Sequence, residues 1–138
     1  MYRRILIPTD GSQNAARAAE RGLDIAEDYD ADVYALAVVE TTRTGEPALS
    51  TMELLVDQVE DQCQALLSDI QQRADERGIP IKSCCCHGEP AAEIISFADE
   101  VDADLIVMGY QGETHRHHLG SVTRRVRRDC DRELMIVR

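Results

Sequence analysis

The sequence predicts an α/β fold built on a parallel sheet. Three observations lead there. Short apolar runs alternate with longer stretches of helical period. The break after each run carries Gly, Pro or a helix-capping residue. No run is followed by a second run across a two-residue hairpin turn. Ile5-Leu6-Ile7 is continuously apolar rather than alternating, as expected of a strand covered on both faces.

The elements follow in order. Ile5-Leu6-Ile7 is the first strand, broken by Pro8-Thr9-Asp10-Gly11-Ser12. Ser12 is a suitable N-cap for a helix running to about Tyr29. Ala15, Ala18, Ala19, Gly22, Leu23 and Ala26 give that helix a small-residue inner face able to lie close to a sheet. Val33 to Val39 is the second strand, apolar except for Tyr34. Thr41 to Leu49 has no period and contains Gly45 and Pro47, so it reads as a loop. Ser50-Thr51-Met52-Glu53 has capping-box spacing and predicts a helix start. Behind it Met52, Val56, Val59, Cys63, Leu66, Leu67, Ile70 and Ala74 recur at helical intervals until Gly78 ends the helix near Arg77.

Ile81 to Cys86 is the third strand. Gly88-Glu89-Pro90 turns into a helix with Pro90 at its first position. Leu105 to Met108 is the fourth strand, Ser121 to about Cys130 the fourth helix and Leu134 to Val137 the last strand. The order is βαβαβαβαβ in one domain spanning residues 1–138, with helices on both faces of a parallel sheet. There is no low-complexity tract and no linker.

Composition narrows the function classes. The 138 residues carry a net charge of −11, which repels nucleic acid and anionic membranes, so neither is an expected partner. Of fifteen Lys and Arg residues only Lys82 is a lysine. An acidic chain with almost no lysine is expected of a protein working in concentrated salt, where screening removes self-repulsion. No apolar span approaches membrane length and no signal peptide is visible, so the expected location is the cytoplasm. The five cysteines are then expected to be reduced thiols, since their odd number and irregular spacing do not suggest a disulfide framework.

In parallel α/β sheets, ligands sit beyond the carboxyl ends of the strands, where the strand order reverses. Two segments leave strands with chemistry suited to that place. One is Pro8-Thr9-Asp10-Gly11-Ser12. Asp10 can accept from ribose hydroxyls or hold a cation beside phosphates; equally, it can support the turn into the helix. The other is Met108 to Ser121, MGYQGETHRHHLGS. Gly109 and Gly112 allow close backbone approach, and Gly120-Ser121 opens a helix whose free N–H groups favour an anion. The same glycines also suit a strand-to-helix connection that binds nothing. The chain contains neither a Walker A nor a Rossmann fingerprint.

His115, His117 and His118 lack metal-ligand spacing and read as loop residues. Cys84 and Cys86 face one side of a strand and Cys85 the other. Three thiols therefore cannot converge on one zinc, and these cysteines read as packing. No metal site built from protein alone is expected. Arg124, Arg125, Arg127 and Arg128 read as a solvated helix face, with Arg124 within a turn of Ser121.

These pieces together resemble the universal stress protein family in its single-domain form. The resemblance rests on ILIPTDGS at Ile5 to Ser12, YALAVVE at Tyr34 to Glu40, HGEPAAEII at His87 to Ile95, DLIVMGYQG at Asp104 to Gly112 and LGSVTRRV at Leu119 to Val126. It implies a five-stranded parallel sheet of order 3-2-1-4-5, the adenine nucleotide alpha hydrolase-like sandwich. Some members bind ATP through Gly-x2-Gly-x9-Gly-Ser/Thr. Here Gly109-x2-Gly112 and Gly120-Ser121 are present, but Glu113 to Leu119 supplies seven residues between them rather than nine.

The resemblance implies a nucleotide-binding set of Pro8, Thr9, Asp10, Val38, Met108, Gly109, Gly112, Gly120, Ser121 and Val122, with ATP or another adenine nucleotide as ligand; Arg116 joins the set as a side chain able to replace backbone contacts that the shorter loop loses. Mg²⁺ would come with the nucleotide, beside Asp10. It also implies a homodimer through the last strand, with Leu134 and Ile136 on the joined edge, and a regulatory protein partner. The function expected is a regulatory module in stress response. The alternatives are a member that binds no nucleotide and acts by protein contact, or a slow ATP hydrolase. No catalytic residue is assigned, and at most weak hydrolysis is expected.

Overall fold

A computed structural model describes residues 2–39, 49–110 and 120–138, with the backbone alone for 49–60. The elements are β1 (Arg4–Thr9), α1 (Gln13–Tyr29), β2 (Asp32–Val39), α2 (Leu49–Glu76), β3 (Ile81–His87), α3 (Pro90–Val101), β4 (Leu105–Gly109), α4 (Ser121–Asp129) and β5 (Glu133–Val137). All strand pairs are parallel, and the sheet order is β3-β2-β1-β4-β5, as the family resemblance implied. The expected loop from Thr41 lies outside the described residues, as do the side chains of Met52, Val56 and Val59. α2 already includes Leu49, so the Ser50 capping box does not mark its start.

Two apolar layers enclose the sheet. α1 and α2 cover one face, burying Ile5, Ile7, Val33, Ala35, Leu105 and Val107 with Leu23, Leu67 and Ile70. α3 and α4 cover the other, over Leu6, Leu36, Ile106 and Met108. The central strands are buried on both faces, which accounts for their unbroken apolar runs. Gly22 lets α1 settle on the sheet, because a Cβ there would lie 2.5 Å from Ile7 Cδ1.

One local sequence, Asp-Ala-Asp, occurs twice and does the same work twice. Asp30 and Asp102 end α1 and α3 in the left-handed conformation, with φ of 54° and 55°. The following alanines donate back into the helices, Ala31 N–H to Ala26 O and Ala103 N–H to Ala98 O, both at 2.9 Å. Asp32 and Asp104 then enter β2 and β4 by donating to Arg3 O and Arg4 O, each at 2.8 Å. The two strands beside β1 are thus started by the same device.

The cysteines correct an expectation. Cys63 on α2 and Cys85 on β3 are joined in a disulfide, so not all five are reduced thiols. The physical reason is the strand's alternation. Cys85 faces the α2 layer, where the inner face of α2 presents Cys63. Cys84 and Cys86 face the other layer as free thiols, with their sulfurs 4.0 Å apart.

Candidate functional site

The chain runs β1, β2, β3 toward one edge and then crosses to β4 and β5, so strand order reverses between β1 and β4. β1 stays paired to β2 as far as Thr9↔Ala37. Its pairing with β4 ends at Leu6↔Ile106, three residues sooner. Pro8 has no N–H with which to extend a ladder. The carboxyl ends of β1 and β4 therefore part where a crevice is expected.

On the β1 side, Pro8 is buried, Thr9 is half-buried and Asp10 is exposed. Thr9 Oγ1 accepts from Gly11 N–H at 3.2 Å, and Asp10 Oδ1 accepts from Ser12 N–H at 2.9 Å. Gly11 stands at φ +81°, and a Cβ there would lie 2.4 Å from Leu66 Cδ2. The turn thus needs glycine both for its backbone and for the α2 side chain resting on it. Ser12 Oγ caps α1 by accepting from Ala15 N–H at 3.1 Å. Asp10 does serve the turn, but with one oxygen only, and a carboxylate keeps further acceptor capacity.

On the β4 side, Met108 is buried and Gly109 is half-buried. A Cβ on Gly109 would meet the Asn14 backbone at 2.8 Å, so the end of β4 lies directly against the first turn of α1. Gly109 O accepts from Thr123 Oγ1 at 3.0 Å, which ties the same strand end to α4. Gly120 N–H donates to Tyr110 O at 2.8 Å, pinning together the two ends of the segment 111–119. Tyr110 N–H donates in turn to Val137 O at 2.6 Å, and Arg138 lies over the Tyr110 ring at 4.8 Å from its centroid.

α4 begins differently from α1. Its N-cap is Gly120, which supplies no side-chain hydrogen bond, and the first helical bond runs from Arg124 N–H to Gly120 O. The N–H groups of Ser121, Val122 and Thr123 precede that bond, so the helix supplies them no acceptor. Ser121 is exposed at this end, while Val122 packs half-buried on the second layer. Val38, half-buried near the end of β2, lies on that same layer.

The structure thus brings Pro8, Thr9, Asp10, Met108, Gly109, Gly120, Ser121 and Val122 to one end of the sheet, with Val38 one strand away. Gly112, Glu113, His115, Arg116, His117 and His118 lie outside the described residues. Asn14, Leu66 and Thr123 are additional supports of the site. Residue type alone gave no signal for them, because each acts through a contact between layers. The α4 arginines Arg124, Arg125, Arg127 and Arg128 are all exposed, as expected of a solvated face, and two of them also form surface ion pairs, Arg125 with Glu89 at 2.5 Å and Arg128 with Asp129 at 2.9 Å. Among the described residues no group of three or more His, Cys, Asp or Glu is arranged to hold a metal.

Comparisons with known proteins agree with this fold and give its family. The sequence model of the universal stress protein family matches residues 1–138. The chain is 38% identical to universal stress protein MJ0531 of Methanocaldococcus jannaschii, over all of this chain and 83% of that one. The structure of universal stress protein UspA from Lactobacillus plantarum superposes with a TM-score of 0.86 at 27% identity, covering 99% of this chain and 98% of that one. A universal stress protein solved in complex with cAMP superposes with a TM-score of 0.73 at 27% identity, covering 99% and 96%.

Proposed function

Because the chain belongs to the universal stress protein family, we propose that it is an adenine-nucleotide-binding regulatory module of the stress response, with AMP or ATP as ligand. The observation that carries this reading is the meeting, at the reversal of the sheet, of the β1 and β4 ends with the uncapped start of α4. The solved relative with cAMP supports an adenine nucleotide as the ligand class. Pro8, Val38 and Met108 offer apolar surface for the base. The Asp10 carboxylate accepts from ribose hydroxyls with the lone pairs that Ser12 leaves free. Ser121 and the first N–H groups of α4 face the phosphates, and Mg²⁺ carried by the nucleotide would sit near Asp10. We assign Gly112 and Arg116 to the phosphates on sequence position.

The adenosine half of the site is better supplied than the phosphate half. Gly120 N–H is already engaged by Tyr110 O, and the glycine-to-glycine segment is two residues short of the family pattern. Arg116 and the three loop histidines then attract phosphate by charge, the histidines more strongly below their ordinary pKa of about 6.5. Calorimetric titration of AMP and ATP above and below that pH, at constant salt, tests this. We expect weak discrimination between the two at the higher pH and tighter ATP binding at the lower. ATP far tighter than AMP at both values, without pH dependence, would mean that backbone groups hold the phosphates. No binding of either nucleotide would favour the alternative, a family member acting by protein contact alone.

We also propose a homodimer in the cytoplasm. Its support is β5, an edge strand on which Leu134 and Ile136 are only half-buried. Among the described residues no helix is long and apolar enough to cross a membrane. Sedimentation at micromolar protein should show the dimer, and a monomer throughout would overturn it.

A further inference from the structure

One covalent bond joins α2 to the sheet. Cys63, on α2, is fully buried, and Cys85, on β3, is half-buried. β3 is an edge strand, and Cys85 on it is less buried than Cys63 on α2. The bond is level with the β1 end of the site. Thr9 pairs with Ala37 and Ala37 with Cys85, in one row across three strands.

One turn beyond Cys63, Leu66 rests on Gly11, whose N–H is held by Thr9 and whose neighbour Ser12 is held by Asp10. Two turns beyond Cys63, Gln71 donates to Ser83 on β3 at 2.5 Å. The stretch of α2 that presses on the β1–α1 turn is therefore tied to β3 on both sides of Leu66. One tie is a hydrogen bond and the other is covalent. Cys84 and Cys86 lie on the opposite face of β3 and cannot reach this bond.

We propose that Cys63–Cys85 is a reversible redox site whose closed form braces the β1–α1 turn, so that adenine nucleotide is held more tightly when the bond is intact. The nucleotide clause rests on the function proposed above. The reactant class is a small thiol or dithiol reductant. Its thiolate attacks Cys85 Sγ, the sulfur–sulfur bond breaks, and Cys63 leaves as a thiolate that takes up a proton. A second reductant thiolate attacks the reductant sulfur of this mixed disulfide, and Cys85 leaves as a thiolate that takes up a proton. Two electrons pass to the protein, which ends with two thiols, and the reductant ends as a disulfide. Both thiols then pack as small apolar groups, so the fold persists while the covalent tie is gone.

The experiment compares full-length protein oxidised with glutathione disulfide and reduced with dithiothreitol. Mass spectrometry of non-reduced digests should find the Cys63–Cys85 linkage in the first. Hydrogen exchange of the segment 9–12 should be slower in the oxidised form. Calorimetry with AMP should show at least about fivefold tighter binding there, the lower end of ordinary coupling between sites. The double variant Cys63→Ala/Cys85→Ala should behave as reduced protein under both conditions, whereas Cys84→Ser/Cys86→Ser should respond as wild type. Absence of the linkage, or equal exchange in the two forms, overturns the proposal. If neither form binds AMP while exchange still differs, the brace stands and the nucleotide reading alone falls.

Discussion

Asp10 has two acceptor oxygens, one with an observed use and one with a proposed use. One closes the turn through Ser12 N–H; the other is assigned to the nucleotide. Asp10→Asn keeps an oxygen for the turn and removes the charge. It should melt with wild type yet bind nucleotide more weakly. Asp10→Ala should bind as poorly and also lose about 1 kcal/mol of stability, the worth of one hydrogen bond. Asp10→Asn binding like wild type, by calorimetry, would confine Asp10 to the turn. From residue type alone the two roles of Asp10 could not be separated, because the same spacing suits a turn and a ribose contact. Asp104 works at the other end of the sheet. It accepts from Arg3 N–H at 2.8 Å and Arg4 N–H at 2.9 Å, and the first of these bonds is the main reason its carboxyl lies below the usual carboxylate range. A depressed carboxyl stabilises the fold above its unfolded pKa of about 3.9, and that contribution is lost as pH falls through the lower folded value. The side chain is exposed, so the effect should be modest. In urea unfolding, Asp104→Asn should be roughly 1 kcal/mol less stable than wild type near neutrality. The gap should close below about pH 4; a constant gap would assign the cost to shape rather than charge.

Among elements, the order and period of the strands and helices were legible because apolar runs and caps are local. What stayed hidden involves two elements at once. Cys63 reads correctly as an inner-face residue of α2, and Cys85 as facing away from Cys84 and Cys86. Only the crossing of α2 over β3 brings the two sulfurs together. The left-handed ends of α1 and α3 were hidden for another reason. Glycine is the usual signal for that conformation, and here aspartate fills it. Asp30→Gly should therefore raise stability by roughly 0.5–1 kcal/mol through relief of the left-handed cost. Thermal melting checks this; a fall would mean that the Asp30 carboxylate contributes more than its backbone costs.

For the molecule as a whole, alternation of strands and helices predicts a parallel sheet but not its order. The order 3-2-1-4-5 came from resemblance, because nothing in a strand's own residues names its neighbour. The charge of −11 is likewise a property of the whole. Arginine answers it locally with clusters. Arg77 meets Glu20, Asp24 and Glu27 between α1 and α2, Arg73 joins Glu20 to Asp69, and Arg132 holds Asp99 and Asp102. The guanidinium fork suits such shared contacts better than an ammonium does. Exposed pairs like these contribute little each, so the residual repulsion should dominate the salt response. Melting temperature should rise from dilute buffer to molar potassium chloride. An unchanged melting temperature would remove the case for a salt-loving origin.

The bond from Gly120 N–H to Tyr110 O has an evolutionary consequence. It seals the neck of the segment 111–119, so the length of that segment can drift while the rest of the sheet is undisturbed. Going from nine residues to eleven adds only about 0.2 kcal/mol of closure entropy. An insertion of two residues after Glu113 should leave urea stability almost unchanged while altering the preference between AMP and ATP. If the domain binds nucleotide as proposed, selection can thus retune the preferred nucleotide without renegotiating whether the chain folds.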